Sequence, residues 1–214
     1  MGSGTAKKVR LDLGIELRTR VHKCEGTDED ILLVQEEAPD FMDGFARQIV
    51  ERARLIRGDR NCFRLTSDDV MIQLPALKRP TLAGLQQDWG YIDRIERDDS
   101  TEEPVTLRLA TVLKSDESSI EGAVYERRLM RLRTDGRLLG FQHRQWLLEH
   151  QTELPELMAL LGKVYVDFPG IVVVDDDGSR NVPYAGQDGK RWATFWFWLN
   201  FDFVQSGRVA VSSK

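Results

Sequence analysis

Residues 164–203 read VYVDFPGIVVVDDDGSRNVPYAGQDGKRWATFWFWLNFDF, and this stretch decides the fold class. Short strand-like runs at 164–166, 171–174 and 181–184 are punctuated by Asp177-Gly178 and Asp188-Gly189. Asp-Gly supplies the positive φ that tight hairpin turns demand, so such pairs between short β-rich runs predict an antiparallel meander. Its longest strand is expected at 192–203, with 208–211 closing the meander. Side chains alternate along a strand, so Trp192, Thr194, Trp196, Trp198, Asn200 and Asp202 point one way. Phe195, Phe197, Leu199, Phe201 and Phe203 point the other. With both faces largely apolar, the expected setting is a central strand between two buried layers.

Upstream, 143–161 reads as a helix interrupted near Pro155 and closed by Gly162. Before it, 105–113 alternates and is expected to pair with a strand at 120–133, with Asp135-Gly136 making the next hairpin turn. A helix is expected at 81–96, weakened by Gly84 and Gly90. The clearest helix spans 40–57. Phe41, Phe45, Ile49, Ala53 and Ile56 recur at helical spacing, Asp40 can cap the start, and Arg52, Arg54 and Arg57 suit the end. A strand or hairpin is expected at 9–21, and short strands at 31–34, 62–65 and 70–74. The class is therefore α+β, mainly antiparallel sheet with about three helices. The polar stretch 98–104 suggests a boundary between lobes at 1–100 and 101–214, although a single compact domain fits too. Residues 31–113 fit a βαββαβ order.

The chain has 214 residues, 41% apolar and 30% charged, enough for a core without staples. Thirty basic and 35 acidic residues give a net charge of −5, with no basic arm or acidic tail, so bulk charge points to neither nucleic acid nor membrane. Two cysteines, Cys24 and Cys62, and a polar start make the cytoplasm the expected compartment. The longest apolar run, 193–199, is too short to cross a bilayer.

Phosphate-cradling loops, a nucleophile elbow and metal-ligand spacings are all missing from the sequence, so no cofactor or metal is expected. The three histidines, His22, His143 and His150, do not share such a spacing. Two features are suited to binding. Arg127, Arg128, Arg131, Arg133, Arg137 and Arg144 fall within 18 residues, and guanidinium groups along a hairpin would meet carboxylates or phosphates through paired donors. Trp196 and Trp198 would add a stacking or contact surface. The expected function is that of a non-catalytic accessory protein, a subunit of a larger assembly whose protein partner presents an acidic surface. Nucleic-acid association through the same arginines is the first alternative. A metal-dependent hydrolase using Asp175, Asp177, Asp188 and Lys190 is the second.

Overall fold

The computed structural model describes residues 27–38, 62–68 and 70–213, together with scattered positions between 19 and 58. The chain divides into two compact units, Met1–Leu55 and Ile56–Lys214.

In the first unit, α1 (Asp28–Glu37) occupies the place where a strand was expected at 31–34. A capping box decides the difference. Thr27 Oγ1 accepts the Asp30 N–H at 3.3 Å, and the Asp30 carboxylate accepts the Thr27 N–H at 2.6 Å. Asp28, Glu29 and Asp30 then favour the positive end of the helix. Of the helix expected at 40–57, the described positions Phe41, Gly44, Phe45, 47–50 and Ala53 are helical, and the rest lie outside the described residues. The strand expected at 9–21 lies almost wholly outside them, and its two described positions, Thr19 and Val21, are helical.

The second unit begins with β1 (Arg64–Leu65), β2 (Ile72–Leu74), α2 (Leu82–Asp88), β3 (Ile92–Asp98) and β4 (Val105–Thr111). Next come β5 (Ser119–Glu121), α3 (Gly122–Thr134), α4 (Phe141–His150), a 3-10 turn (Gln151–Glu153) and α5 (Pro155–Met158). It closes with β6 (Tyr165–Asp167), β7 (Ile171–Asp175), β8 (Arg180–Asp188), β9 (Arg191–Trp198), β10 (Asp202–Val204) and β11 (Gly207–Ser213). Nine strands form one sheet in the order β1-β4-β11-β6-β8-β7-β3, with β2 also on β4 and β9 also on β8. All its pairs are antiparallel except β6–β11. β5 and β10 make a separate two-stranded sheet. The stretch 98–104 joins β3 to β4 within this unit.

Both faces of the sheet are covered. On one, Leu107, Leu109 and Ala210 pack with Leu147 of α4 and with Leu157 and Leu160. Side chains alternate along β4 and β11, so Ala110, Val209 and Val211 reach the opposite face, where Tyr125, Leu129 and Leu132 of α3 meet them. β7 is buried at every position, as a strand covered on both sides must be. The α+β class and the mostly antiparallel C-terminal strands hold, while the helices with described bounds are five α-helices and a 3-10 turn, with further helical positions between 19 and 58, rather than about three helices.

Several expected elements change. The helix at 81–96 ends at Asp88, and β3 replaces its second half; Trp89 caps α2 and Gly90 lies in the turn that follows. With 31–34 helical, the βαββαβ order does not arise. The strand at 120–133 is instead β5 followed by α3. Tyr125, Arg128, Leu129 and Leu132, spaced i, i+3, i+4 and i+7, are its buried stripe. Asp135-Gly136 is then not a hairpin. Gly136, at φ 62°, ends α3: its N–H bonds Arg133 O at 3.0 Å and the Arg137 N–H bonds Leu132 O at 2.8 Å, a Schellman close. The helix at 143–161 is broken at Pro155 as expected, into α4, the 3-10 turn and α5. The strand at 192–203 stops at Trp198 and resumes as β10 in the other sheet.

Candidate interaction surface

β9 is reached through the two-residue turn Gly189-Lys190, where Gly189 takes φ 61°. It pairs with β8 alone, from Asp188↔Arg191 to Asn181↔Trp198. The expected central strand is thus an edge strand, and beyond the buried Trp192 its aromatic side chains are only partly covered. The main-chain edge is sealed at its start: Trp192 N–H donates to Gln151 Oε1 at 2.8 Å and Gln151 Nε2 donates to Trp192 O at 3.2 Å. Such sealing is one way an edge strand avoids pairing with other chains.

The phenylalanine face of β9 carries an aromatic platform. Phe195 stacks on Tyr184 at 5.2 Å between ring centres, and Tyr184 meets Tyr165 edge-on at 5.7 Å. Phe197 touches Tyr184, Phe201 and Phe203 at 6.0, 6.3 and 4.8 Å. Gly186 lets the rings of Tyr184 and Phe195 lie down, since a Cβ there would meet them at 3.1 and 3.3 Å. Trp198 joins through Phe201 at 5.2 Å. Exposure is 36% at Phe195, 46% at Trp198, 49% at Phe201 and 40% at Val204. Large apolar side chains gathered in this way mark recognition sites more often than chance surface.

The tryptophan face is organised by Asp88, at the end of α2. Its carboxylate accepts from Arg144 Nη2 at 2.8 Å, Trp196 Nε1 at 2.9 Å and Thr194 Oγ1 at 3.2 Å. Arg144 is wholly buried, with its guanidinium carbon 4.6 Å from the Phe141 ring centre and 5.3 Å from that of Trp196. Trp196 is stacked on Trp89. Trp192 lies fully in the core, its indole N–H bonded to Leu157 O at 3.2 Å.

The arginines expected along one hairpin are dispersed by the helix. Arg128 is buried against Val112 O and the carboxylate of Glu117, which holds that carboxyl down at about 2. Arg133 pairs with Asp99 at 2.6 Å, and Arg137 donates to Ser212 O at 2.9 Å while lying over Phe63. Arg127 is half-buried on α3, and Arg131 is exposed, 3.9 Å from Asp135. Arg144 belongs to the Asp88 cluster, so these six side chains do not make one row. Asp175 and Asp177 lie at the β7–β8 turn while Asp188 and Lys190 lie at the β8–β9 turn, so the whole of β8, roughly 25–30 Å, separates the pairs. Asp175 is itself buried, accepting from Ser179 N at 2.7 Å and Asn181 Nδ2 at 3.0 Å. Among the described residues, no group of three His, Cys, Asp or Glu side chains is placed to hold a metal, and no helix is long and apolar enough to cross a membrane.

Two titratable groups are buried in the second unit, Asp167 and His143. Burial pushes the Asp167 carboxyl well above the usual carboxylate range, and Tyr125 donates to it at 3.4 Å. Burial, with Asp167 nearby, also raises the Tyr165 and Tyr184 phenols, which stay protonated. Burial lowers His143 to about 4, although its Nδ1 accepts the Gly140 N–H at 3.1 Å. The two act on stability with opposite signs. Asp167 holds its proton more tightly when folded, so its contribution is full below about pH 4 and is lost as pH rises toward the folded value. His143 prefers to be neutral when folded, so its contribution is full above about pH 6.5 and is lost as pH falls toward the folded value. Above about pH 4 the two contributions therefore slope in opposite directions with pH. Urea unfolding across this range should show stability climbing with pH in Asp167→Asn and declining in His143→Asn. Parallel profiles in both variants and the parent would contradict the assignment.

No protein-family model, curated protein or solved structure matches this chain. The geometry of its own residues is therefore the basis for a functional reading.

Proposed function

We propose that this chain is a non-catalytic binding protein that joins a larger cytoplasmic assembly through the aromatic surface at β9. Phe195, Trp198 and Phe201 carry the reading: three exposed aromatic rings, continuous with Tyr165, Tyr184 and Phe197, lie on and beside the edge strand β9. Aromatic side chains give contact area at low conformational cost, and they dominate the energetics of protein interfaces. Trp198 contributes directly. Trp196 and Arg144 support it from behind, because both are bound to Asp88. Arg131, with 65% of its side chain exposed, is the arginine best placed to meet an acidic partner.

The test is affinity capture of the tagged full chain from its host lysate, with and without nuclease, read by mass spectrometry. A stoichiometric protein should survive nuclease and fall at least tenfold in Phe195→Ser/Phe201→Ser. Both rings also stack on neighbours, so urea unfolding of the double variant is the check that it remains folded. Capture that is indifferent to the double substitution would reject the surface. Recovery abolished by nuclease would transfer the proposal to nucleic acid, with the rings stacking on bases.

A further inference from the structure

A cleft of about 400 Å³ opens on another part of the second unit, where β1 and the end of β4 meet the turn before β11. Arg64, Lys114 and Arg208 line it together with Thr66, Ser67 and Gln205, and no acidic residue is among its described lining. The three cations are not equivalent. Arg208 is held by Asp68, through Nε at 3.1 Å and Nη2 at 2.9 Å, and its Nη1 donates to Gln205 O at 2.7 Å. Its charge is therefore matched and its position fixed. Glu117 lies 4.0 Å from Lys114, but both of its oxygens are engaged by Arg128. Arg64 makes no ion pair among the described residues. Two cations, one from β1 and one from the loop after β4, thus share a polar cavity in which the one carboxylate that reaches them among the described residues, Glu117, is shared between Lys114 and the buried Arg128.

We propose that this cleft binds the dianionic phosphoryl group of a small phosphorylated molecule. Arg64 without an ion pair among the described residues, and Lys114 with only a shared one, leave a positive surplus that suits a dianion. The fork of a guanidinium, an ammonium and nearby hydroxyl and amide donors can serve a tetrahedral group with several acceptor oxygens. Leu65 and Leu113 are the only apolar residues in the described lining, which disfavours an apolar ligand. The volume exceeds that of a bare phosphate and leaves room for a short polar body.

Calorimetric titration of the full chain at low ionic strength tests this, with inorganic phosphate and glycerol 2-phosphate as probes. Both should bind saturably at one site. Hydrogen bonds to charged groups contribute about 1.5–3 kcal/mol, so Arg64→Gln and Lys114→Gln should each weaken binding about tenfold or more, and the double variant should abolish it. Arg94→Gln, on β3 and outside the cleft, should leave affinity unchanged. Retained affinity in the double variant, equal weakening by Arg94→Gln, or the same heats from sodium chloride at matched ionic strength would each overturn the proposal. Circular dichroism confirms that the variants are folded.

Discussion

Gly122→Ala is expected to abolish stable folding of the second unit. Gly122 opens α3 directly against the stretch that joins β9 to β10, and an added Cβ would stand 1.6 Å from Leu199 O and 2.6 Å from Leu199 C. Both obstacles are backbone, so no side-chain rotation relieves the clash. Reaching an ordinary contact of 3.4 Å would move the helix start or the β9–β10 link by about 1.8 Å, the difference from 1.6 Å. Either shift drags a buried element with it. Leu199 and Phe203 on one side, and Tyr125 and Leu129 on the other, belong to the same core cluster. Dense interiors transmit such strain, and overpacking by side chains alone costs about 1–3 kcal/mol, so a backbone clash should exceed ~4 kcal/mol. Domain stabilities are typically about 5–15 kcal/mol. Gly84→Ala, inside α2 with only Thr81 Oγ1 near at 3.5 Å, is the control and should be neutral or stabilising by up to ~1 kcal/mol. Soluble yield and urea unfolding read both. A Gly122→Ala chain as stable as the parent would mean that α3 does not meet the β9–β10 link as described.

Arg144→Leu should be nearly as damaging, for an electrostatic reason. The substitution removes the cation from a carboxylate whose side chain is only 12% exposed and leaves Asp88 with two neutral donors, Trp196 and Thr194. Removing one partner of a buried pair typically costs about 3–5 kcal/mol, chiefly because the remaining charge is stranded. The loss should therefore be largely rescued in Arg144→Leu/Asp88→Asn, where nothing charged is left behind. Urea unfolding of the two singles and the double closes the thermodynamic cycle. Additive effects would show that the two side chains do not act as a pair. The indole of Trp196 offers an independent reporter, since its fluorescence should change in either single variant.

The contrast between α3 and β9 shows what was legible in the residues. The Asp-Gly turns and β-branched runs of 164–203 identified an antiparallel meander because turn chemistry and alternation are local. In 120–133 the arginines dominated the reading and concealed Tyr125, Leu129 and Leu132, which already had helical spacing. At Thr27 and Asp30 the capping box was visible in the sequence, yet the run Ile31-Leu32-Leu33-Val34 outweighed it. The alternation of β9 was also visible, but not which face would stay open. That depends on β8 covering one flank only and on Gln151 of the 3-10 turn arriving at Trp192 from 41 residues away. Asp88 had no local signal at all: its partners are 56 to 108 residues distant. The cleft at β1 was hidden for the same reason, since Arg64, Lys114 and Gln205 converge only after β4 and β11 have paired.

The place of β11 has a bearing on how the chain comes off the ribosome. It is the strand that joins β4, with β1 and β2, to β6 and everything beyond. Until residues 207–213 emerge from the exit tunnel, the two half-sheets have no shared member. Each would wait with a raw, sticky margin, and the final zippering must bridge about a hundred residues of separation between β4 and β11. Pairing over such sequence distance is intrinsically slow, and half-built sheets invite aggregation. Newly made chains would thus depend on chaperones that shelter those margins until synthesis has passed β11.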